Sequence, residues 1–507
     1  MPHNWSRAAL AVGSLAIAGC ASSPDSRVQD QPVGIPARWD AAGLYAEDDD
    51  LFRAQPTEAL PADTGWVRDF DDPDLEALIR RAQARNYDLI AAAARFEQQL
   101  ETAVITGADV YPAFNGSFGA ARGRAVTQAE TFGGGDTVIS FTQNSFDLGA
   151  GVSWELDVWG RLRNLQAASV ADAEGALADF QGARLSLAAT TARLWYNAIA
   201  ATEQLDLSSR TAENFRASER IISDRFEQGL SPALDLRLAR ANTAIAEAEV
   251  ERRKRDLDGI RRELRVLLGD YPVGELAVGK TLPEELPSVP AGLPATLLER
   301  RPDLQRAERA LAASGERVLA ARKALLPSFS LTGSFGTSSD EIGDLVDPDF
   351  NVWNLAADLT TPIFQAGRLK ASIRREEAIA RERLATYGQT ALEAFEEIES
   401  ALAAEYFLAD QVRFQQTAAT ESVAAEELAF ERYGNGLTDI ITVLESQQRA
   451  FTEQISLIDL RNLRLQNRID LYLALGGPFL PEDPEAAPAD VVEQANDAVL
   501  TLAIPTP

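Results

Sequence analysis

The side chains that most enzymes use for catalysis and metal binding are almost missing from this sequence. His3 is the single histidine, Met1 the single methionine and Cys20 the single cysteine. Histidine catalysis and metal sites built from histidine or cysteine are therefore unavailable downstream of Cys20. Carboxylate, serine–lysine or tyrosine chemistry stays open, but we find neither a glycine-rich phosphate loop nor carboxylates paired in a pocket pattern. We expect no catalytic residue, no metal site and no cofactor, and therefore not an enzyme.

Cys20 is the one residue with an evident chemical fate. It follows an apolar stretch, residues 8–18, which is too short to span a bilayer and has the length of a signal-peptide core. The stretch ends in Ile-Ala-Gly-Cys at residues 17–20, which resembles a bacterial lipobox. The resemblance implies removal of residues 1–19, acylation of Cys20 and sorting to the outer membrane. The alternative is a plain secretory signal followed by a chance cysteine.

The chain is strongly acidic, with a formal net charge of −29 at pH 7. Such an excess of carboxylates is repelled by phosphate backbones, so nucleic acid is not an expected partner. No apolar run of about 18 residues follows Cys20, which argues against a helical membrane span.

Two proline-free segments of equal length, residues 161–228 and 368–435, dominate the sequence. Each predicts a single helix of roughly 100 Å. They belong to an internal duplication, because Gly160-Arg161-Leu162 recurs 207 positions later as Gly367-Arg368-Leu369. Pro112-Ala113-Phe114 recurs 215 positions later as Pro327-Ser328-Phe329. The shorter offset downstream predicts a loop inserted in the first repeat, at residues 133–136.

Alternating apolar and polar residues precede each long segment. The pattern covers residues 146–156 and 353–363, and more briefly 329–335. Segments of about ten residues with one apolar face are typical of transmembrane β-strands, although a half-buried strand of a soluble sheet has the same pattern. Their occurrence as two hairpins, 112–157 and 327–363, flanked by very long helices favours the membrane.

Each repeat is predicted to contain a helix, two strands, the long helix and a last helix. The first helices cover residues 74–109 and 297–324, and the last cover 231–268 and 438–475. Four strands cannot close a barrel, and an open edge in lipid leaves backbone groups unpaired. The chain must therefore oligomerise, and three copies would supply twelve strands around an open lumen.

Several motifs together resemble the TolC/OprM-type outer-membrane factors, in particular the NodT-like lipoprotein branch of resistance-nodulation-division (RND) efflux systems. They are WELDVWGRL at 154–162, LERRPD at 298–303, PSFSL at 327–331 and LALGG at 473–477. The resemblance covers about residues 20–480. It implies an α+β membrane protein, a homotrimer whose twelve-stranded transmembrane β-barrel continues as a long helical coiled-coil tunnel in the periplasm.

The resemblance also implies a function. The trimer would be the passive outer-membrane channel of a tripartite efflux system, docked to a periplasmic membrane-fusion adaptor and an inner-membrane RND-type pump. Drugs, dyes and other toxic compounds would leave through it, with type I protein secretion or metal-ion efflux as the alternative. A soluble coiled-coil scaffold would leave the strands and the lipobox unexplained.

The turns after the two long helices are the first predicted site. The glycine should end each long helix and the hydroxyl residue should cap the next one. The resemblance adds that these tips touch the hairpin tip of the adaptor. The tip residues are Gly229, Leu230 and Ser231, and Gly436, Leu437 and Thr438.

The helix after the second tip is the second predicted site. Its heptad seam of Leu444, Phe451, Ile458, Leu465 and Tyr472 has a companion row with amides, which indicates a coiled coil. By resemblance, Glu445 corresponds to a gate aspartate and Ile441 to a constricting apolar residue. Gln448 replaces the arginine of relatives, with Arg449 displaced by one, which puts an inherited gate salt bridge in question. Weaker candidates for the same network are Asp439, Asp235, Arg237 and Tyr433; a solvated helix surface is the alternative for each.

These predictions divide the chain into six segments. They are a signal peptide (1–19), a tether around the tunnel midsection (20–73), repeat one (74–270), a connector (271–296), repeat two (297–477) and a tail (478–507). The predicted mechanism is a twist of three inner helix pairs that closes the tunnel, which adaptor binding shifts to an untwisted, open arrangement.

Overall fold

A computed structural model describes residues 65–131, 135–279, 281–283, 286 and 300–476. The predicted signal peptide, Cys20, most of the tether, the tip of the first hairpin and the tail lie outside these residues. Within the described part of the chain, no helix is long and apolar enough to cross a membrane.

The described elements follow the predicted order in both halves. The first half contains α1 (Pro73–Arg85), α2 (Tyr87–Ala108), β1 (Ala113–Thr131), β2 (Gly135–Leu156), α3 (Arg161–Glu227) and α4 (Ala233–Leu267). The second contains α5 (Pro302–Lys323), β3 (Ser328–Ser339), β4 (Asn351–Thr360), α6 (Arg368–Gly434) and α7 (Ile440–Leu475). Both long helices, α3 and α6, have 67 residues, and their ends recur at the predicted offset of 207 positions.

The first predicted helix is wrong in one respect, because it is broken at Asn86. Asn86 has an extended backbone, and its side-chain oxygen accepts a hydrogen bond from the Leu89 N–H at 3.0 Å. An asparagine that caps a helix in this way competes with continuation of the preceding one. Residues 73–108 therefore form two helices, α1 and α2.

Asn86 also joins the start of the first repeat to its end, and the residue at the equivalent position joins the start and end of the second repeat. Asn86 Nδ2 donates to the carbonyl of Leu267 at the end of α4, at 3.0 Å. Arg301, 215 positions after Asn86, donates to the carbonyl of Ala474 near the end of α7, also at 3.0 Å. In each repeat, a side chain near the start of the repeat thus donates to a carbonyl at the end of the last helix, where no backbone partner is available.

The hairpins account for the different lengths of the repeats, but not through an inserted loop. β1 and β2 have 19 and 22 residues and pair in register from Ala113↔Ser153 to Thr131↔Gly135. β3 and β4 have only 12 and 10 residues, with two short 3-10 helices, Ile342–Val346 and Pro348–Phe350, between them. The longer strands of the first hairpin therefore more than account for the difference, and the longer connection between β3 and β4 offsets part of it.

The four strands form one antiparallel sheet in the order β1-β2-β3-β4. Its register brings the predicted apolar positions of all strands to one face, and many of them are exposed in the single chain. This apolar face contains Phe114 and Phe118 of β1, Phe146, Leu148, Val152, Trp154 and Leu156 of β2, Phe329, Leu331 and Phe335 of β3, and Trp353, Leu355 and Leu359 of β4.

The apolar face has the height of a membrane. It extends along β2 from Leu156 to Phe146, which is about 33 Å of strand at roughly 3.3 Å per residue. At a tilt of about 40°, the band is about 25 Å tall, as in outer-membrane barrels. The opposite face is dominated by serine, threonine, glycine, asparagine and aspartate. β1 and β4 are the two edges, with no further partner strand among the described residues.

The largest core lies between the sheet and the helix tips. It joins α1, α3, α4 and α7 to a short 3-10 helix, Trp66–Phe70, which precedes α1. Trp66 stacks on the ring of Tyr472 at a centroid distance of 4.9 Å, and the Tyr472 hydroxyl donates to Asp69 at 2.5 Å. Burial, followed by the charge of Asp69, raises the pKa of Tyr472. The end of the predicted tether is thereby fixed to the last helix.

A buried charge cluster joins α6 to α7. The Glu405 carboxylate is fully buried and accepts from Arg464 at 2.9 Å and from Arg468 at 2.8 Å. Arg468 is itself only 1% exposed. Removing one partner of a buried ion pair leaves an uncompensated charge, which costs far more than losing a surface pair.

We therefore expect Glu405→Gln to destabilise the protein by about 3–5 kcal/mol, because the change removes the buried carboxylate that pairs with two guanidinium groups. The matched control is Asp410→Asn, which breaks the exposed Asp410–Arg413 pair on the same helix and should cost less than about 1 kcal/mol. The measurement is thermal unfolding of the purified protein by circular dichroism. Equal unfolding temperatures for the two variants would contradict a larger contribution of the buried Glu405 cluster to stability.

Candidate functional site

The two tips share one backbone geometry. The amide of Leu230 bonds to the Arg225 carbonyl at 2.7 Å, and that of Leu437 to the Arg432 carbonyl at 2.9 Å. These bonds are those of the Schellman motif, which requires a left-handed residue just before the leucine. Gly229 (φ 73°) and Gly436 (φ 72°) occupy that position. The predicted helix stops are thus confirmed.

The same geometry points both leucines into solvent. Leu230 is 64% exposed and Leu437 is 66% exposed in the single chain. An apolar side chain held at the apex of a rigid turn loses little conformational entropy when a partner covers it, which favours binding. The tips therefore present two equivalent apolar contact points.

The predicted caps of the following helices are wrong by one residue. Ser231 and Thr438 do not cap α4 and α7. Pro232 occupies the N-cap position of α4 and makes no side-chain capping bond, and Asp439 caps α7. Asp439 Oδ1 accepts from the Thr442 N–H at 2.9 Å and from its hydroxyl at 2.8 Å, bonds that hold the pKa of Asp439 below its usual value.

A compact apolar cluster lies behind the tips and holds four helices together. Its members are Phe215 and Ile222 of α3, Leu236 and Ala239 of α4, Ala429 and Tyr433 of α6, and Ile440, Val443 and Leu444 of α7. Since α4 and α7 each begin within this cluster, a movement of one tip is resisted by the other helix pair.

Three of the predicted gate residues lie on one face of α7. Ile441, Glu445 and Gln448 follow the i, i+4, i+7 spacing and are all exposed, with Ile441 at 44%. Val443, Leu444 and Gln447 face the opposite way and are buried. This face of α7 is therefore free for contact with another chain or with the contents of a tunnel.

The gate salt bridge that the sequence put in question does not form among the described residues of one chain. Glu445 and Arg449 are both exposed, and neither has an ion-pair partner among the described residues. Gln448 instead contacts the Thr452 hydroxyl at 3.4 Å. An acid and a base on adjacent turns thus remain available for partners outside the single chain.

The weaker candidates do not form one network. Asp439 is occupied by its capping role, Asp235 is half-buried in the first turn of α4, and Arg237 is exposed. Tyr433 is buried, and the guanidinium of Arg225 lies 5.0 Å from its ring centroid. This cation–π contact between α3 and α6 was missed in the sequence, because the two residues are 208 positions apart and only folding brings them together.

A second feature missed in the sequence is an acidic groove of about 660 Å³ between α3, α6 and α7. Glu213, Glu426 and Glu427 line it together with Phe215 and Phe430. Burial raises the pKa of Glu426, the bond from Gln447 opposes that rise, and the charge of Glu427 adds to it. No periodic signal marks this groove, because its residues come from three separate segments.

The arrangement suits docking and passage. Among the described residues, no group of three or more histidine, cysteine, aspartate or glutamate side chains is placed to hold a metal ion. The conspicuous features are an apolar sheet face, a helical shaft of roughly 100 Å and two matched tips.

Comparisons with known proteins agree with this architecture. The family described as "Outer membrane efflux protein" matches residues 78–270 and 293–477. The chain is 30% identical over 467 residues to the probable efflux pump outer membrane protein SepC of Pseudomonas putida, covering 92% of this chain and 95% of SepC. It is also 30% identical over 470 residues to the cation efflux system protein CusC of Escherichia coli, covering 92% of this chain and 97% of CusC.

A solved structure shows the same fold. The CmeC outer membrane channel of Campylobacter jejuni matches with a TM-score of 0.79 at 25% identity, over 89% of this chain and 95% of CmeC. The family match covers well over half of the residues, and the matched structure has the same architecture. The chain therefore belongs to the outer membrane efflux protein family.

Proposed function

We propose that this protein is the outer-membrane channel of a tripartite efflux system, a passive conduit for small toxic molecules. The observation that carries the proposal is the sheet, whose apolar face is about 25 Å tall, joined to two 67-residue helices that end in matched tips. One end of such a molecule suits a lipid bilayer and the other suits a protein partner. The family and the TolC-like fold support this placement.

The working unit is a homotrimer. One chain leaves the backbone groups of β1 and β4 unpaired, which lipid does not tolerate. Twelve strands from three copies close the sheet and leave an open lumen. The apolar face then contacts lipid and the face rich in serine and aspartate lines the lumen.

The tips are the proposed contact with a periplasmic adaptor, which in turn recruits an inner-membrane pump of the RND type. Leu230 and Leu437 are the apolar contacts, with Ser231 and Thr438 beside them. Their equal geometry supports two similar docking positions per chain.

We expect the double substitution Leu230→Asp/Leu437→Asp to abolish efflux while the trimer still forms, because two charges replace the apolar contacts at solvent-exposed positions. The measurement is intracellular accumulation of fluorescent dyes and antibiotics in a deletion strain that carries each variant on a plasmid. The matched control is Val266→Asp, an equally exposed apolar residue at the far end of α4, which should restore efflux like the wild type.

The same assay tests the function itself. Higher accumulation in the deletion strain, reversed by the wild-type gene, is the expected result. Unchanged dye accumulation with increased sensitivity to metal ions would favour cation efflux, the second candidate, which is supported by the carboxylates of the lumen-facing sheet side and by the name of CusC. Loss of a secreted protein instead would favour type I secretion.

The gate is the proposed role of the exposed face of α7. In a closed trimer, Ile441 and Glu445 of three chains surround the axis near the tips, with Gln448 and Arg449 on the next turn and Asp439 and Asp235 at the helix starts. Adaptor binding favours the separated arrangement, which is a shift of population.

We expect Ile441→Ala to increase the single-channel conductance and to admit large antibiotics such as vancomycin, because a smaller side chain widens the narrowest point. The control is Leu463→Ala, a similarly exposed leucine about 33 Å further along the same helix. Conductance equal to the wild type for Ile441→Ala would rule out a constriction at this residue.

Lipidation of Cys20 is the proposed anchor of the N-terminus, supported by the apolar stretch and the lipobox resemblance. Two acylation signals are needed for stable membrane attachment by lipid alone, so the anchor adds to an already inserted barrel. We expect Cys20→Ser to abolish the lipid-dependent mass increase of the mature chain in mass spectrometry of the purified protein. An unchanged mass shift in this variant would disprove acylation at Cys20.

A further inference from the structure

The charged side chains that the structure describes in the sheet are divided between its two faces by sign. Among strand residues whose side chains the structure describes, the carboxylates are Asp147, Glu155 and Asp358, and all three lie on the polar face. The cations are Arg122 and Arg124, and both lie on the same face as Phe114 and Phe118. The chain has 77 acidic and 48 basic residues. The two basic residues that lie in the described strands nevertheless both point to the lipid side.

The two arginines lie just beyond the apolar band. The continuous band ends at the Ala120↔Phe146 pair, and the next positions on this face are Arg122↔Asn144 and Arg124↔Thr142, with Val126 and Val138 beyond them. Arg122 is two residues above that end, about 5 Å along the membrane normal at the tilt used above. Since the helices mark the periplasmic end of the strands, this is the level of the outer-leaflet head groups.

The guanidinium groups are available for a ligand. Both residues are exposed, and the Arg124 side chain donates to the Ser140 hydroxyl at 3.0 Å, its one hydrogen bond to a described residue. Neither makes an ion pair with any described residue of the chain. Residues two positions apart in a strand have their Cα atoms about 7 Å apart and their side chains on the same face. Arginine binds phosphate oxygens through two parallel hydrogen bonds, which suits a ligand with fixed phosphates.

We propose that Arg122 and Arg124 form a binding site for the phosphate groups of the glycolipid in the outer leaflet. Charge complementarity and direct continuity with the apolar band support this ligand, because acyl chains would cover the band below while phosphates meet the guanidinium pair above. The site occurs three times around the trimer and fixes the depth of the barrel. The proposal rests on the proposed outer-membrane function.

The test compares trimers reconstituted into two kinds of vesicle. Both contain phosphatidylcholine, one with bisphosphorylated lipid A and the other with lipid A whose phosphates have been removed. For the wild type, we expect phosphates to raise the temperature at which the trimer dissociates on heating. For Arg122→Gln/Arg124→Gln, we expect that rise to disappear, and fewer lipid A molecules to remain bound per trimer in native mass spectrometry.

Two further variants keep the result interpretable. Arg381→Gln/Arg383→Gln removes two exposed arginines with the same spacing from α6 and should keep the full rise. Arg122→Lys/Arg124→Lys keeps the charge but loses the paired hydrogen bonds of the guanidinium group. This variant should therefore keep only part of the phosphate-dependent rise in dissociation temperature.

Three outcomes would overturn the proposal. One is a glutamine variant that keeps the full phosphate-dependent rise. Another is an equal loss of stability of the glutamine variant in both kinds of vesicle. That result would indicate that the arginines pair with a neighbouring subunit, for example with Asp347 and Asp349 of its β3–β4 connection. The third is a wild type that inserts as a trimer but does not respond to phosphate, whereas failure to insert at all would contradict the proposed function itself.

Discussion

The need to pair every backbone N–H and C=O group in lipid is the constraint on which this structure depends. A four-stranded sheet with an exposed apolar face satisfies the hydrophobic requirement of a bilayer but leaves β1 and β4 unpaired. Only other copies of the chain can remove both edges without adding new ones. The proposed assembly and its lumen both follow from that one requirement.

The helices extend this assembly over roughly 100 Å, and most of their stability comes from packing against neighbouring elements. Each repeat is closed by one side chain from its beginning, Asn86 or Arg301, on the carbonyl end of its last helix. The buried Glu405 cluster and the docked Trp66–Phe70 segment hold the middle of the shaft. The tip cluster is the remaining connection, and because it joins all four helices it couples the positions of the two tips.

Much of the fold could be predicted from the sequence because its signals are periodic and local. The duplication, the two long helices, the alternating strands and the glycine helix stops depend on spacing alone. The structure confirms the helices, the strands and the helix stops, and the order of elements in the two halves is consistent with the duplication. The break at Asn86 and the shift of the caps to Pro232 and Asp439 were missed, because a capping side chain is chosen by competition between neighbouring positions. The longer strands of the first hairpin were mistaken for a loop, since glycine-rich residues mark turns more clearly than strand ends.

The sequence by itself determined the class of protein, the two repeats and the residues at the tips, because each is encoded by residues that are close in the chain. Only the tertiary structure decided which charged strand residues share a face, that Arg225 meets Tyr433, and that Glu405 is buried between two arginines. These relations depend on strand register and helix packing between segments up to about 200 positions apart. A shift of register by one residue would reverse every face, and no local pattern fixes it across separate hairpins.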